Sequence, residues 1–217
     1  GLNHLNYILL PDYICDVVIN PLDQLGIKYK YYSINDDLTP DWEELEKKVD
    51  KSIKAILMIH YFGQAQQIEK FQKFCNKHKL LLIEDNAHGH GGMYKGELLG
   101  TFGDIGISSP RKILNLPSGG NLWIKNQNIL FCHNLGPYPL SLIKYLQTRI
   151  YNYYPSLRYS VNKIIKKRQR FEDYEIFRES PISDYTIDKH SKNKIEQTNW
   201  VEICKARRSV YNEWQYF

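Results

Sequence analysis

Short apolar runs that resemble buried strands alternate with helical stretches through the first part of the chain. Apolar runs of this kind are typical of strands that lie in a parallel sheet covered by helices on both faces. The pattern therefore predicts an α/β fold with a mostly parallel sheet flanked by helices. The predicted strands are residues 7–11, 27–34, 55–59 and 80–83, and the predicted helices are residues 13–25, a helix that opens at Asp41, and residues 67–78.

Composition limits the classes of protein to consider. The chain has 217 residues, 42% of them hydrophobic, and this is enough to bury a substantial core. The sequence has no apolar run as long as a membrane-spanning helix and no secretory signal pattern, so we predict a cytoplasmic protein. Its 4 cysteines are scattered and form no Cys-x-x-Cys pair, which indicates neither a zinc site nor a disulfide framework.

The C-terminal part differs in character from the first part. After residue 126 the sequence becomes polar and helical, so residues 126–217 are predicted to form a helical, basic segment. A short basic run contributes much of the net charge of +5. Such a run more often forms the solvated face of a helix than a polyanion site, and we expect no nucleic-acid partner. The run consists of Lys163, Lys166, Lys167, Arg168 and Arg170.

Two segments carry the candidate chemistry, IEDNAHGHGG at residues 83–92 and GDIGISSPRK at residues 103–112. Asp85 comes just past the predicted strand 80–83, at the end of the sheet where ligands gather. Lys112 lies 27 residues later, in a Ser-x-x-Lys arrangement with Ser109. These residue types suit pyridoxal phosphate. A lysine amine holds its aldehyde as a Schiff base, an acid keeps its pyridine nitrogen protonated, and hydroxyls bind its phosphate.

Glycines crowd the region between the two segments. Their density predicts tight turns and close approach of the backbone to a ligand, rather than helix. Short extended pieces at residues 104–108 and 120–124 are expected to flank the Lys112 loop and to complete the sheet. The glycines are Gly89, Gly91, Gly92, Gly96, Gly100, Gly103 and Gly106.

In these segments the chain resembles the DegT/StrS family of pyridoxal-phosphate-dependent sugar aminotransferases. The resemblance runs from about residue 7 to residue 125 and includes the segments at residues 9–34, 40–46, 55–64 and 80–112, with closing glycines at 119 and 120. It implies the central part of a fold type I aminotransferase large domain: residues 1–125 would form the cofactor-binding core, and residues 126–217 an incomplete small domain.

The resemblance also implies an activity and a partner. Members of the family transfer an amino group from an amino acid such as glutamate to a nucleotide-linked keto sugar. The products are used in the biosynthesis of surface polysaccharides or amino sugars. Members of the family are homodimers. We therefore expect small-molecule substrates and a homodimer when the protein is full length.

Site residues carry over from the family one by one. Lys112 would hold the cofactor and then shuttle the proton between its C4′ atom and the substrate carbon. Asp85 would pair with the pyridine nitrogen, and His88 would contact the phenolic oxygen of the ring. Ser108 and Ser109, which precede the lysine, offer hydroxyls to the cofactor.

Other interpretations stay open. Asp85, His88 and His90 could form a metal cluster, although no further histidine or cysteine stands at a convincing ligand spacing. His60, in the segment IHYFGQ, is expected to be a satisfied histidine at a strand end.

Departures from the family point to two further alternatives. Complete members carry a Gly-Thr/Ser segment that binds the phosphate, and an aromatic that stacks on the ring, upstream of the residue that matches Tyr7. This chain begins after both, so we expect it to bind the cofactor weakly by itself. One alternative is a non-catalytic homologue that serves as a binding or structural partner. The other is a dehydratase-like member, but in those histidine replaces the lysine, and Lys112 argues against it.

Overall fold

A computed structural model describes residues 6–114, 116–125, 135–138 and 185–215, together with isolated positions between 146 and 160. The strands are β1 (Tyr7–Pro11), β2 (Lys28–Tyr32), β3 (Ile53–Ile59), β4 (Leu81–Asn86), β5 (Met93–Tyr94), β6 (Glu97–Leu98), β7 (Ile105–Ser108), β8 (Asn121–Ile124), β9 (Gly136–Pro137) and β10 (Tyr185–Thr186). The helices are α1 (Asp16–Gln24), α2 (Trp42–Lys48), α3 (Ile68–His78), α4 (Lys189–Glu196) and α5 (Trp200–Trp214).

The central sheet has six strands in the order β2-β1-β3-β4-β7-β8. Neighbouring strands run parallel except for β8, which pairs antiparallel with β7. Because β2 and β3 lie on opposite sides of β1, the strand order reverses there, and in sheets of this kind ligands bind beyond the carboxyl ends of the strands. A ligand site is therefore expected at the edge of the sheet where β3, β4 and β7 end.

Apolar side chains cover both faces of the sheet. Alternate residues of a strand point to opposite faces, so β1, β3 and β4 each contribute to two separate clusters. On one face the sheet packs against α2 and α3, with Ile56, Met58, Phe71 and Phe74 among the buried residues. On the other face Ile8, Leu10, Leu57 and Ile59 are buried, and α1 packs there through partly buried Val18 and Leu22.

Local sequence accounts for where α2 begins and where α3 ends. The carboxylate of Asp41 accepts hydrogen bonds from the backbone N–H groups of Glu43 and Glu44, both at 3.0 Å, and so caps the first turn of α2. At the far end of α3, Lys79 adopts a left-handed conformation with φ 56°, which stops the helix just before β4.

The predicted α/β fold with its mostly parallel sheet is confirmed. The strands and helices predicted up to residue 78 are all present, with ends that differ by a few residues. One boundary was wrong in a way that matters: β4 continues to Asn86, so Asp85 lies inside the strand and not just past it. The reason is that Asp85 pairs with Ile59 on one side and with Ile107 on the other, and two neighbouring strands keep the backbone extended.

The glycine-rich region contains a hairpin that the turn prediction did not include. Strands β5 and β6 pair antiparallel around Lys95 and Gly96, which have φ angles of 49° and 87°. Positive φ at both central residues is the geometry of a tight two-residue hairpin turn. The remaining glycines of the region lie mainly in turns, as expected.

The C-terminal segment is only partly described. Helices α4 and α5 fall within it, while the basic run at residues 163–170 and Cys132 lie outside the described residues. The division of the chain at residue 125 stays a prediction. Within the part of the chain that the structure describes, no helix is both long and apolar enough to cross a membrane.

Candidate active site

The ends of β4 and β7 bring the two candidate segments together. Asp85 lies beside Ile107 in the sheet, and Asn86 lies beside Ser108. The loop that carries Lys112 begins directly after Ser108, at the same edge of the sheet. The parallel pairing of β4 with β7 therefore places a carboxylate and a lysine loop side by side, although they are 27 residues apart in sequence.

Asp85 is nearly buried, with 6% of its surface exposed. Its Oδ1 atom accepts a hydrogen bond from the backbone N–H of Ala87 at 2.8 Å. This is the one hydrogen bond that the described residues donate to the carboxylate, so Oδ2 has no partner among them. Oδ2 is not among the described side-chain atoms that are fully buried without a partner, so it is accessible from the edge of the sheet, where a donor or a cation can reach it. The arrangement suits a ligand that presents a protonated nitrogen.

Lys112 ends a single turn of 3-10 helix, Pro110–Lys112. The turn is closed by the backbone N–H of Lys112, which donates to the carbonyl of Ser109 at 3.1 Å, and it is anchored by the buried ring of Pro110. Arg111 and Lys112 themselves are exposed. The local structure thus fixes the backbone while it leaves the ammonium group accessible.

His88 connects the two segments electrostatically. Partial burial and, after it, the positive charge of Lys112 lower the pKa of His88 below its ordinary value, while the charge of Asp85 opposes this shift. The imidazole lies parallel to the ring of Phe62, with 6.1 Å between ring centroids. His88 therefore lies close enough to both Asp85 and Lys112 to respond to their charges.

Aromatic residues at the ends of β1 and β3 complete this edge of the sheet, and sequence reasoning missed them. The Tyr61 hydroxyl donates to the carbonyl of Tyr13 at 2.8 Å, and burial, with the nearby charges of Asp12 and Asp85, raises the pKa of Tyr61. Phe62 is exposed and has a φ of 54°, which is uncommon for a bulky residue. Both residues lie in the segment IHYFGQ, but no local pattern in it indicates that they reach this edge of the sheet.

A close approach of two glycines holds Phe62 beside His88. A Cβ atom on Gly63 would lie 3.0 Å from the Cα of Gly89, and Gly63 has a φ of 81°. Both positions therefore need glycine, because a side chain at either would push the backbone of the turn after β3 away from the loop after β4.

The two serines before Lys112 point to different surroundings. The Ser108 hydroxyl shares a hydrogen bond of 2.8 Å with Nδ1 of His90. Ser108 is paired with Asn86, so its side chain lies on the face of the sheet opposite to that of Asp85. No side chain or backbone group among the described residues bonds the Ser109 hydroxyl. Of the two serines, Ser109 is the better placed to bind a ligand.

His60 and Glu84 form a buried pair in the sheet beside Asp85. His60 Nδ1 accepts a hydrogen bond from the backbone N–H of Gln66 at 3.0 Å, so the proton is on Nε2, which donates to Glu84 Oε1 at 2.8 Å. The expectation that His60 is a satisfied histidine is confirmed. The role of Glu84 was missed, since a glutamate next to Asp85 had no local signal of burial.

Glu84 organises the loop that leads into β7. Its carboxylate accepts backbone N–H bonds from Gly100, Phe102 and Gly103, at 2.6, 2.7 and 2.8 Å. Burial by itself would raise the pKa of Glu84, but the hydrogen bonds from His60, Gly100 and Gly103 outweigh it and hold the pKa below its ordinary value. The side chain is therefore ionised at neutral pH.

The metal alternative finds no support in these contacts. Among the described residues, no group of three or more histidine, cysteine or acidic side chains could hold a metal ion. His88 faces Phe62, whereas His90 bonds to Ser108, so the two histidines diverge.

Comparison with known proteins identifies the family. A model of the DegT/DnrJ/EryC1/StrS aminotransferase family matches residues 3–130. The chain belongs to this family. GDP-perosamine synthase of Vibrio cholerae is 29% identical over 132 residues, which make up 60% of this chain and 36% of that protein.

Solved structures of the family resemble the described fold. Helicobacter pylori PseC, an aminotransferase involved in the biosynthesis of pseudoaminic acid, superposes with a TM-score of 0.52 at 26% identity, over 57% of this chain and 34% of that one. A GDP-4-keto-6-deoxymannose-3-dehydratase with a trapped PLP-glutamate geminal diamine gives 0.51 at 26% identity, over 56% and 32%. The chain spans about a third of the length of these relatives. The fold is that of the fold type I aminotransferases.

Proposed function

We propose that this chain acts as a pyridoxal-phosphate-dependent aminotransferase that transfers an amino group from an amino acid such as glutamate to a nucleotide-linked keto sugar. The observation that carries the proposal is the meeting of Asp85 and the Lys112 loop at adjacent strand ends, inside the region that matches the family. Relatives named as GDP-perosamine synthase and as a pseudoaminic acid aminotransferase support the sugar substrate. A role in polysaccharide or amino-sugar biosynthesis, a cytoplasmic location and a homodimer belong to the same proposal.

The residues at the site fit this cofactor. Asp85 offers a buried carboxylate whose Oδ2 lacks a partner among the described residues, as a protonated ring nitrogen requires. Lys112 offers an exposed amine on a fixed turn, and Ser109 offers a hydroxyl to the phosphate. His88 would contact the phenolic oxygen from the loop after β4. Ser108, also predicted as a ligand, is engaged with His90 and would contribute indirectly.

Each side chain then has a distinct task. The cofactor, when bound, supplies an electron sink for the charge that develops at the substrate carbon. Asp85 would keep the proton on the pyridine nitrogen, because a carboxylate beside a cationic ring favours its charged form. Lys112 would hold the cofactor covalently through Nζ and, once released by the substrate amine, carry the proton to and from the substrate carbon.

Covalent labelling tests the lysine assignment. The protein is incubated with pyridoxal phosphate, reduced with borohydride and digested, and the peptides are weighed. We expect a pyridoxyl mass on the peptide that carries Lys112, and its loss in Lys112→Arg. Lys125→Arg, which changes an exposed lysine just after β8, serves as the matched control and should leave the label in place. Label on other lysines with none on Lys112 would refute the assignment and favour a non-catalytic homologue.

Substitution of the acid tests the other half of the site. Asp85→Asn should leave the fold intact and slow the half-reaction with the amino donor by orders of magnitude, since the ring nitrogen loses its charged partner. An unchanged half-reaction rate would show that Asp85 serves only to shape the turn through Ala87.

A further inference from the structure

His90 lies outside the group of residues that would touch the cofactor, yet it is bonded to the base of the lysine loop. Its Nδ1 atom is 2.8 Å from the hydroxyl of Ser108, the last residue of β7. Lys112 follows four residues later on a one-turn helix. Ser108 thus connects His90 to the backbone segment that carries the lysine.

A side chain from the distant α5 holds His90 in place. The ring of Trp200 meets the imidazole edge-on, with 4.3 Å between centroids and an angle of 80° between planes. Gly91 has a φ of 80°, and a Cβ there would lie 3.2 Å from a ring carbon of Trp200. The Cys204 thiol also donates to the Gly91 carbonyl at 3.3 Å, across 113 residues of sequence. Helix α5 thus packs against the loop after β4 through Trp200 and Cys204.

Burial also decides the charge state of the His90 imidazole. Desolvation lowers the pKa of His90 below its ordinary value, so the imidazole is neutral at pH 7. A neutral imidazole and a hydroxyl form an ordinary hydrogen bond that orders both groups. The contacts with Trp200 and Ser108 together restrict the orientation of the ring.

We propose that His90 and Trp200 are positioning residues that fix the Lys112 loop through Ser108, which makes helix α5 part of the cofactor site. The inference rests on the proposed function for its consequence, the binding of pyridoxal phosphate. Its structural content, the order of the loop, belongs to the protein without cofactor. Neither residue would touch the cofactor or transfer a proton; both would act through Ser108.

Two substitutions of His90 separate the hydrogen bond from simple packing. His90→Phe keeps a ring against Trp200 but removes the bond to Ser108. His90→Asn loses the ring but places an amide nitrogen near the position of Nδ1, where it can donate to the hydroxyl. If the bond positions the loop, the Lys112 loop stays ordered in His90→Asn and loses order in His90→Phe. If only packing against Trp200 matters, the loop stays ordered in His90→Phe and loses order in His90→Asn.

The first measurement uses the protein without cofactor. Hydrogen exchange is followed at the amides of Lys112, Ile113 and Leu114, which close the turn by bonding to the carbonyls of Ser109 and Pro110. We expect exchange to rise roughly tenfold in His90→Phe, as loss of one hydrogen bond of ordinary strength allows, and to stay near the parent rate in His90→Asn. Unchanged exchange in His90→Phe would overturn the proposal, whatever the function.

The second measurement titrates pyridoxal phosphate by absorbance. His90→Phe and Ser108→Ala should weaken binding by a similar factor, roughly tenfold, and His90→Asn should weaken it less. Ser109→Ala should weaken binding without faster exchange in the loop. If no variant and not even the parent binds, while exchange still responds to His90, the proposed function fails and the positioning role stands.

Trp200 and a distant histidine provide the controls. Trp200→Leu should raise loop exchange as His90→Phe does, and Trp200→Phe, which retains an aromatic edge, should raise it less. His78→Phe changes another half-buried histidine that contacts an aromatic ring, at the opposite end of α3 from the site. It should alter neither exchange nor cofactor affinity. Faster loop exchange in His78→Phe would mean that general destabilisation explains the effect, and would overturn the proposal.

Discussion

Replacement of Glu84 by glutamine should destabilise the protein strongly, although glutamine has nearly the same shape. Both oxygens of Glu84 act as acceptors. Oε1 accepts from His60 and Gly100, and Oε2 accepts from Phe102 and Gly103. A glutamine amide turns one of these oxygens into an NH2 group, which then faces two donors whichever way it points.

The magnitude follows from burial. His60 and Glu84 are both fully buried, so the unpaired donors cannot turn to water. Two buried donors lose their acceptor, and each unsatisfied group costs about 1 to 3 kcal/mol, so the loss is about 2 to 6 kcal/mol. A typical domain has a free energy of unfolding of about 5 to 15 kcal/mol, so this is a large share of the total. With a urea m-value of about 2 kcal/mol per molar, the unfolding midpoint should fall by roughly 1 to 3 M.

Urea unfolding followed by circular dichroism measures this shift. The matched control is Glu46→Gln, which changes a largely exposed glutamate that bonds to Lys77 and His78 and should leave the midpoint nearly unchanged. If the midpoint of Glu84→Gln stayed within the error of the parent, the reasoning about two donor pairs would be refuted. Asp85 and the Lys112 loop should also lose order, because Glu84 holds the entry to β7.

The carboxylate of Glu84 also predicts that the stability of the protein depends on pH. The pKa of Glu84 in the folded protein lies below its ordinary value of 4.5. The contribution of Glu84 to stability is therefore fully present above pH 4.5 and is lost as the pH falls through the lowered pKa. Urea midpoints measured between neutral and acid pH should show this loss in the parent and a smaller one in Glu84→Gln.

Three further substitutions test the fold and the site. Asp41→Ala removes the cap that accepts two N–H groups of α2 and should lower the free energy of unfolding by about 1 kcal/mol, measured by urea unfolding. Tyr32→Phe removes a buried hydroxyl that donates at 2.7 Å to a carbonyl of β3 and should cost about 1 to 3 kcal/mol in the same assay; no change would mean that water replaces the bond. Gly63→Ala places a Cβ 3.0 Å from the Cα of Gly89, so it should destabilise more than Gly26→Ala, where φ is also positive but nothing lies within 4 Å. Equal losses from the two glycines would argue against the close approach.

Local patterns were sufficient to predict most of the fold up to β8. Apolar runs and helical periodicity depend on neighbours a few residues away, and so does the cap at Asp41. The same reasoning failed where pairing with other strands extends an element. Asp85 belongs to β4 because β3 and β7 lie on both sides of it, and no property of residues 84–86 alone indicates this.

The candidate site shows the same division. Asp85 and Lys112 were predicted as site residues from spacing and residue types, and His88 from the family resemblance; their roles stay predictions, while the structure brings Asp85 and the Lys112 loop to adjacent strand ends. Phe62 and Tyr61 could not be predicted, since they reach the site through a turn at the end of β3 with an uncommon φ.

Local periodicity and short motifs were sufficient to predict the succession of strands and helices along the chain, the family and the residue types available for chemistry. Which of those residues meet depends on how the chain folds. Register turns Ser108 away from Asp85 and toward His90, and places Glu84 against the loop after β6. Trp200 reaches His90 from a helix that is distant in sequence. Such contacts have no local signal, because strand pairing and burial bring together groups that are far apart in the chain, and a hydrogen bond forms only where both partners are present.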